Sequence, residues 1–445
     1  MTAPRLVFLD GLRGIAALWV VLFHAAAGHH IVHLEAALPD WLHAKLSEGH
    51  FGVPMFFVLS GFVIAYAVHG QRIDAAYFGR FMLRRSIRLG LPYWASIAVA
   101  IAFLELKGFS THTPAAVPTP GELAAHAVYL QDVLGVHQIN AVYWSLCYEM
   151  QFYLLFCALV ALAQRWSFPV FAVAAAVALA WPLSGLHVPG LCLPYWHGFL
   201  LGVFTFWALQ GALRPGYLAL YAAALLAMWL WSGDRFTLVC VVTGWAIFAA
   251  GIARRMDSWL SWPALQFVGI VSYSLYLIHN PVMGAGFNVA YRVLPRTAVG
   301  ELVALVAVLA LACAFAFAFW WLIERTSSAL SRRLQRPCLA AKYGRSERLA
   351  EGQPEGESEQ VPQLVAQRQQ PVAAGEEERR RDWHECGEHH APQRALHSAC
   401  RIPGRDQRVQ AGKPESVDQR EQARLAEREE HLLGHFVAAA DQGER

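Results

Sequence analysis

Apolar residues run almost unbroken for about twenty positions at a time along most of this chain, and short polar stretches separate the runs. Runs of membrane-spanning length can be read at 12–30, 51–69, 89–107, 142–163, 168–186, 193–210, 217–233, 236–252, 267–290 and 299–322. The pattern predicts an all-α fold, a polytopic membrane bundle of about ten helices, because in lipid each span must satisfy its own backbone hydrogen bonds. The first run begins almost at Met1 with no small-residue cleavage site behind it, so it reads as a retained helix and not as a removed signal. The pattern stops abruptly near Pro337. Residues 337–445 are rich in Glu, Gln, Arg, His and Pro, with only Tyr343, Trp383 and Phe436 as aromatics. The expected organisation is therefore a membrane domain over 1–336 and a disordered, cytoplasmic tail over 337–445. The sharpness of the change also raises the expectation that the tail is read from a shifted frame, which resequencing the gene would test.

Composition and charge refine this picture. Apolar residues make up 56% of the chain and charged ones 16%, with 16 Trp and 25 Phe, as a membrane protein requires. Basic residues collect on alternate loops. Arg72, Arg80, Arg84, Arg85 and Arg88 lie between the second and third runs, whereas Gly108 to Ala163 contains no Lys or Arg. Arg5, Arg165, Arg214, Arg254, Arg255, Arg325, Arg332 and Arg333 fall on the same side, assigned to the cytoplasm, and Lys45, Arg235, Arg292 and Arg296 on the other. Both ends of the bundle are then cytoplasmic and the membrane is expected to be a bacterial inner membrane. No nucleic-acid partner is expected. Five cysteines are scattered through the runs, without a disulfide framework. Neither the irregular histidines of the first outer loop (His29, His30, His33, His43, His50) nor His384, Cys386, His389 and His390 in the tail have convincing metal-ligand spacing. No metal is expected.

Chemistry enters with the polar residues at membrane depth. Arg13 and His24 lie eleven residues apart in FLDGLRGIAALWVVLFHAA. Eleven steps of about 100° return both to one helix face, separated by roughly 16 Å along its axis. The bland alternative is a snorkelling arginine and a histidine bonded to a neighbouring helix. Glu149, in YWSLCYEMQFYLLF, and His279, in SYSLYLIHNPV, fall at a similar depth on two other helices. A buried carboxylate beside a histidine could share a proton with it, so the three side chains form a candidate catalytic group. For His279 the competing role is structural, beside a kink at Pro281. Ser60 in VLSGF reads as a small-residue helix contact, and neither it nor Ser145 has a local histidine marking a nucleophile.

Five stretches, LDGLRGIAALWVVLFH, FFVLSGFVIA, RRSIRLGLPYW, WSLCYEMQFYLL and SYSLYLIHNPV, resemble the successive motifs of acyltransferase family 3. Members are integral membrane enzymes that modify polysaccharides and other surface or secreted molecules. The resemblance covers residues 5 to about 330. It implies that Arg13 and His24 are essential, that Arg85 and Arg88 match the family's Arg-x-x-Arg, and that Glu149 matches its WSL-x-x-E carboxylate. Trp144 and Ser145 of that motif, with His279, become candidates for substrate contact or support. Many relatives carry a second acidic residue where this chain has Met150, so a paired carboxylate is not expected. Neither the extra helix nor the soluble esterase-like domain found in some members is recognised in the tail, consistent with a short form of the family or a lost natural end.

The implied reaction moves an acyl group, acetyl first among candidates, from acyl-coenzyme A to a hydroxyl of a glycan or similar acceptor at the outer face. His24 would serve as base with Glu149 or another acid holding its tautomer. Arg13, Arg84, Arg85 and Arg88 would hold the donor's phosphates. Direct transfer and an acyl-enzyme route remain open. The competing readings are a transporter whose buried Arg, His and Glu form a relay, although no symmetric halves are visible to favour it, and a non-catalytic subunit of a polysaccharide assembly.

Overall fold

The computed structural model describes residues 6–113, 117–166, 169–186 and 188–334. The tail, with its His–Cys cluster and the reading-frame question, lies outside them. All ten apolar runs are helical: α1 (Val7–Ala27), α2 (Gly52–Val68), α3 (Leu91–Thr111), α4 (Trp144–Trp166), α5 (Pro169–Leu183), α6 (Trp196–Leu209), α7 (Pro215–Ser232), α8 (Arg235–Ile252), α9 (Pro263–Ala290) and α10 (Ala298–Phe319). No strand occurs among the described residues. Seven helical stretches in them are long and apolar enough to cross a membrane. The three helices outside that set differ in cause. α5 and α6 are short, at 15 and 14 residues, whereas the 28-residue α9 carries Ser272, Ser274, His279 and Asn280 among its apolar side chains.

The basic segment ahead of α3 departs from the expected loop. Asp74 caps a helix over Ala75–Arg85 by accepting the Tyr77 N–H at 2.6 Å, and a single π turn, Ser86–Gly90, joins that helix to α3. Residues 75–111 are thus one continuous helix of 37 residues. α10 extends in the same way through a π turn, Trp320–Glu324, into Arg325–Arg333. A π turn loosens the regular i→i−4 ladder, and hydroxyls of the second extension take up carbonyls at the first. Ser327 donates to the carbonyls of Ile87 and Arg88 at 2.6 and 3.1 Å, and Ser331 to that of Arg84 at 3.0 Å.

α1 packs along α9, α9 along α10, and α6 along α2. Glycine sets two of these crossings. A Cβ on Gly269 would lie 2.1 Å from the Asp10 carbonyl oxygen, and one on Gly14 2.7 Å from that of Leu265, so α1 and α9 meet backbone to backbone. Gly61 and Gly202 do the same for α2 and α6, at 1.9 and 2.0 Å from the carbonyl oxygens of Phe199 and Val58. The small-residue contact expected at Ser60–Gly61 is real, and Gly61 makes it.

Within α9, Pro281 has no N–H, which frees the Leu277 carbonyl. Asn140 Nδ2 donates to it at 3.1 Å, while Asn140 Oδ1 accepts Asn280 Nδ2 at 2.9 Å. The proline thereby ties the loop before α4 to α9 at the level of His279. At the same end of the bundle Lys45 and Arg235 both pair with Glu48, as the alternation of basic residues requires. Glu301, 2% exposed at the start of α10, accepts the Leu34 N–H at 2.7 Å and His33 Nδ1 at 2.8 Å, clamping the α1–α2 connection down.

Candidate active site

α1 carries Arg13 near one end of the bundle and His24 near the other, and the glycine crossing holds it against α9. That contact brings His24 and His279 together. Their ring centroids are 5.0 Å apart, and His279 Nε2 lies 3.3 Å from His24 Nδ1. The fully buried His279 points its Nδ1 at two backbone carbonyls, Leu275 at 3.0 Å and Tyr276 at 2.9 Å, so that nitrogen carries the proton and Nε2 the lone pair. His24 Nδ1 faces the Val20 carbonyl at 2.8 Å as well as His279 Nε2. Both neighbours are acceptors, so His24 Nδ1 donates and the lone pair of His24 sits on Nε2. A base needs that tautomer.

Glu149 is not the group that fixes it. Its Oε1 accepts hydrogen bonds from Ser60 and Tyr153, and the expected His–Glu contact is replaced by a pair of histidines. The reason lies in the helix facing: Tyr153 is one turn beyond Glu149 on α4, and Ser60 comes across from α2. Glu149 remains within electrostatic range of Tyr276, whose ring lies 6.3 Å from that of His279. Ser145 Oγ and the Tyr276 hydroxyl are 2.7 Å apart, and both reach the Val142 carbonyl. Trp144 turns elsewhere, into aromatic contacts with Phe57, Tyr148 and Tyr195.

At the opposite end Arg13 Nε donates to Ser272 Oγ on α9 at 3.3 Å. Arg85 is buried, its guanidinium stacked over Tyr153 at 4.9 Å and over Phe81 at 5.5 Å, which links the arginine end to the Glu149 group. Arg88 lies on the π turn, within electrostatic range of Arg13, Arg85, Tyr153 and Glu324. Its side chain is exposed to solvent. Arg84, on the same helical extension, neighbours Tyr77 and Arg85. Glu324 is an acidic partner that the sequence reading missed; it lies on the other π turn and accepts the Ser274 hydroxyl at 2.6 Å. Its place at the end of the last apolar run was the available signal. Tyr153 was also legible, since it stands four residues from Glu149 on a helix.

Beyond His24, at the histidine end, an open cleft of about 590 Å³ is lined by polar groups that include His29, Glu35, Asp40 and His43. Phe23 forms part of its wall and meets the His24 ring edge-on at 5.0 Å. Burial raises the Glu35 carboxyl above its ordinary value, while the His43 imidazole 3.7 Å away pulls it down. His30 instead stacks on Phe287, and His50 packs on Phe51. No three His, Cys, Asp or Glu side chains are grouped to hold a metal ion among the described residues.

The family model for the acyltransferase domain, acyltransferase family 3, matches residues 6–323. The chain belongs to that family. Like the other members, this acyltransferase is an integral membrane enzyme transferring a non-aminoacyl group. It is 29% identical over 347 residues to a protein of Komagataeibacter xylinus described as a membrane-bound transacylase, BcsY, across 72% of this chain and 82% of the relative. A stretch of 143 residues is 31% identical to a protein of Acidianus two-tailed virus described as an acetyltransferase, ORF330, covering 32% of this chain and 37% of that one. Protein 2 of the picA locus in Rhizobium radiobacter is 32% identical over 127 residues, 27% of this chain and 59% of the relative. No solved structure matches the acyltransferase. An acyltransferase, and not a transporter or an inert subunit, is thus the class of protein at hand.

Proposed function

We propose that this enzyme transfers an acetyl group from acetyl-coenzyme A to a hydroxyl of a surface glycan or similar acceptor, with His24 as the base. The arginine end faces the cytoplasm of a bacterial cell and the histidine end faces out. The observation that carries the reading is the His24–His279 pair, because it leaves the lone pair of His24 on Nε2 and supplies an acceptor for the proton on Nδ1. The acceptor hydroxyl enters by the cleft beside Phe23. His24 Nε2 takes its proton as the oxygen attacks the thioester carbonyl carbon. The C–S bond then breaks, and the imidazolium returns the proton to the departing thiolate. His279 Nε2 stabilises the imidazolium while it exists. Transfer is taken as direct, with Ser60 donating to Glu149 and Ser145 to the Val142 carbonyl.

Phosphates of the donor sit with Arg13 and Arg88, supported by Arg84 and Arg85, and Glu324 balances the charge of the pair. The arm carrying the thioester runs from there along α1 to His24, a span of about 16 Å. Glu149, with Ser60 and Tyr153, lies along that path. The test is transfer of label from acetyl-coenzyme A to extracted surface glycan, in membranes carrying the full chain or its His24→Ala variant. Label in glycan only with the unmutated chain supports the assignment. Equal labelling with both removes His24 as the base.

A further inference from the structure

Tyr129 has a combination of features that its place in the fold does not require. It lies in the connection leading to α4, is 7% exposed, and takes φ = +59°, a left-handed conformation that an aromatic residue adopts only when its surroundings impose it. Several contacts impose it here. Its N–H donates to the His126 carbonyl at 3.1 Å, its own carbonyl accepts Cys147 Sγ at 2.9 Å, and its ring stacks on Tyr93 with centroids 4.7 Å apart. All of this holds the side chain in one direction. Yet the hydroxyl to which it leads has no hydrogen-bond partner among the described residues. Buried hydroxyls left in that state are costly and uncommon.

Its neighbours say where it points. The hydroxyl comes within 3.5 Å of the position a Cβ would take on Gly90, the last residue of the π turn that carries Arg88. Glu149 and Tyr153 are its electrostatic neighbours, and Tyr273, anchored by its hydroxyl to the Leu89 carbonyl at 2.8 Å, lies beside it. The hydroxyl therefore lies beside the π turn that carries Arg88, close to Glu149, Tyr153 and Tyr273. A tyrosine phenol, with an ordinary pKa of about 10, is neutral at neutral pH, so here it is a donor in want of an acceptor.

We infer that the Tyr129 hydroxyl is a binding site for a carbonyl oxygen of the donor's amide arm, reached as the arm passes from Arg88 towards His24. The inference rests on acyl-coenzyme A being the donor. A carbonyl is the matching chemistry, because the arm offers amide oxygens at this depth and a neutral phenol can only donate to them usefully. The strained backbone and the unpaired hydroxyl are then features of an enzyme organised around a ligand.

The test is Tyr129→Phe, which removes one oxygen and no packing, in the full-length protein in detergent or nanodiscs. Binding of labelled coenzyme A is measured beside that of adenosine 3′,5′-bisphosphate, which has the phosphates but no arm. The expected result is a roughly tenfold weaker affinity for coenzyme A, unchanged affinity for the bisphosphate, and thermal stability equal to or above that of the unmutated protein. Equal coenzyme A affinity in the two proteins would overturn the Tyr129 assignment while leaving the donor reading intact. Equal weakening of both ligands, or a loss of thermal stability, would overturn it by showing a structural role. Absence of coenzyme A binding to the unmutated protein would overturn the donor reading and this assignment together.

Discussion

Replacing His279 by phenylalanine isolates what the second histidine contributes. The ring is retained, and the Leu275 and Tyr276 carbonyls, which His279 Nδ1 supplements, remain within a continuous helix. What disappears is the Nε2 acceptor 3.3 Å from His24 Nδ1. When His24 takes the acceptor's proton, that contact becomes a hydrogen bond from a charged donor, worth about 1.5–3 kcal/mol. The same N–H is shared with the Val20 carbonyl at the shorter distance of 2.8 Å, so the lower part of the range applies. About 1.5–2 kcal/mol corresponds to a fall in kcat of roughly 10- to 30-fold. KM for the donor should stay within about twofold, because the arginine end is untouched. His279→Gln should recover part of the loss, since an amide oxygen can accept from His24. The assay is acetyl transfer to glycan with varied acetyl-coenzyme A, alongside thermal unfolding to establish that both variants fold. A properly folded His279→Phe enzyme with wild-type kcat would refute the reasoning and return His279 to a purely structural place beside Pro281.

Arg88→Ala should raise the donor KM by roughly 10- to 100-fold, the loss of one charge-assisted phosphate contact of about 1.5–3 kcal/mol, and Lys should recover only part of it; an unchanged KM would detach Arg88 from the donor. Gly61→Ala should destabilise the bundle by about 1–3 kcal/mol, because the added methyl meets the Phe199 backbone and not a side chain that can move, and a thermal shift of the purified protein reports it. Gly269→Ala should instead be felt in transfer rate as well as stability, as α1 carries His24; a stability loss with full activity would show that the crossing does not set the site. Glu301→Gln should cost about 1–3 kcal/mol and loosen the clamp on Leu34, seen as faster hydrogen exchange at residues 32–37. Unaltered exchange there would dismiss the clamp.

The helices were legible because period and length speak directly: each of the ten runs became one helix. The Arg13–His24 stripe was legible for the same reason, being a property of one helix. What could not be read was the pairing between helices. Glu149 and His24 share a depth, but depth leaves rotation about the axis open, and the helix facing gives Glu149 to Ser60 and Tyr153 and gives His24 to His279. The basic segment before α3 looked like a loop because its polar face is wide, while the Asp74 cap and the π turn that make it helix are local features of a few residues. Tyr129 escaped notice because its distinction is conformational, a left-handed φ.

The rigidity of α1 has a consequence for which molecules can serve as donors. Arg13 and His24 sit eleven residues apart on one continuous helix and cannot approach one another. The helix is therefore a gauge. If Arg13 holds phosphate and His24 is the base, as proposed, a small activated acyl compound such as an acyl phosphate could engage one station or the other but not both, and its phosphate affinity would leave the acyl carbon out of reach. Only a donor with a long arm can spend the affinity of its charged end on orientation at its reactive end. With the proposed roles of Arg13 and His24, selection against short donors would need no gate or steric barrier; the spacing of two residues on one helix would be enough.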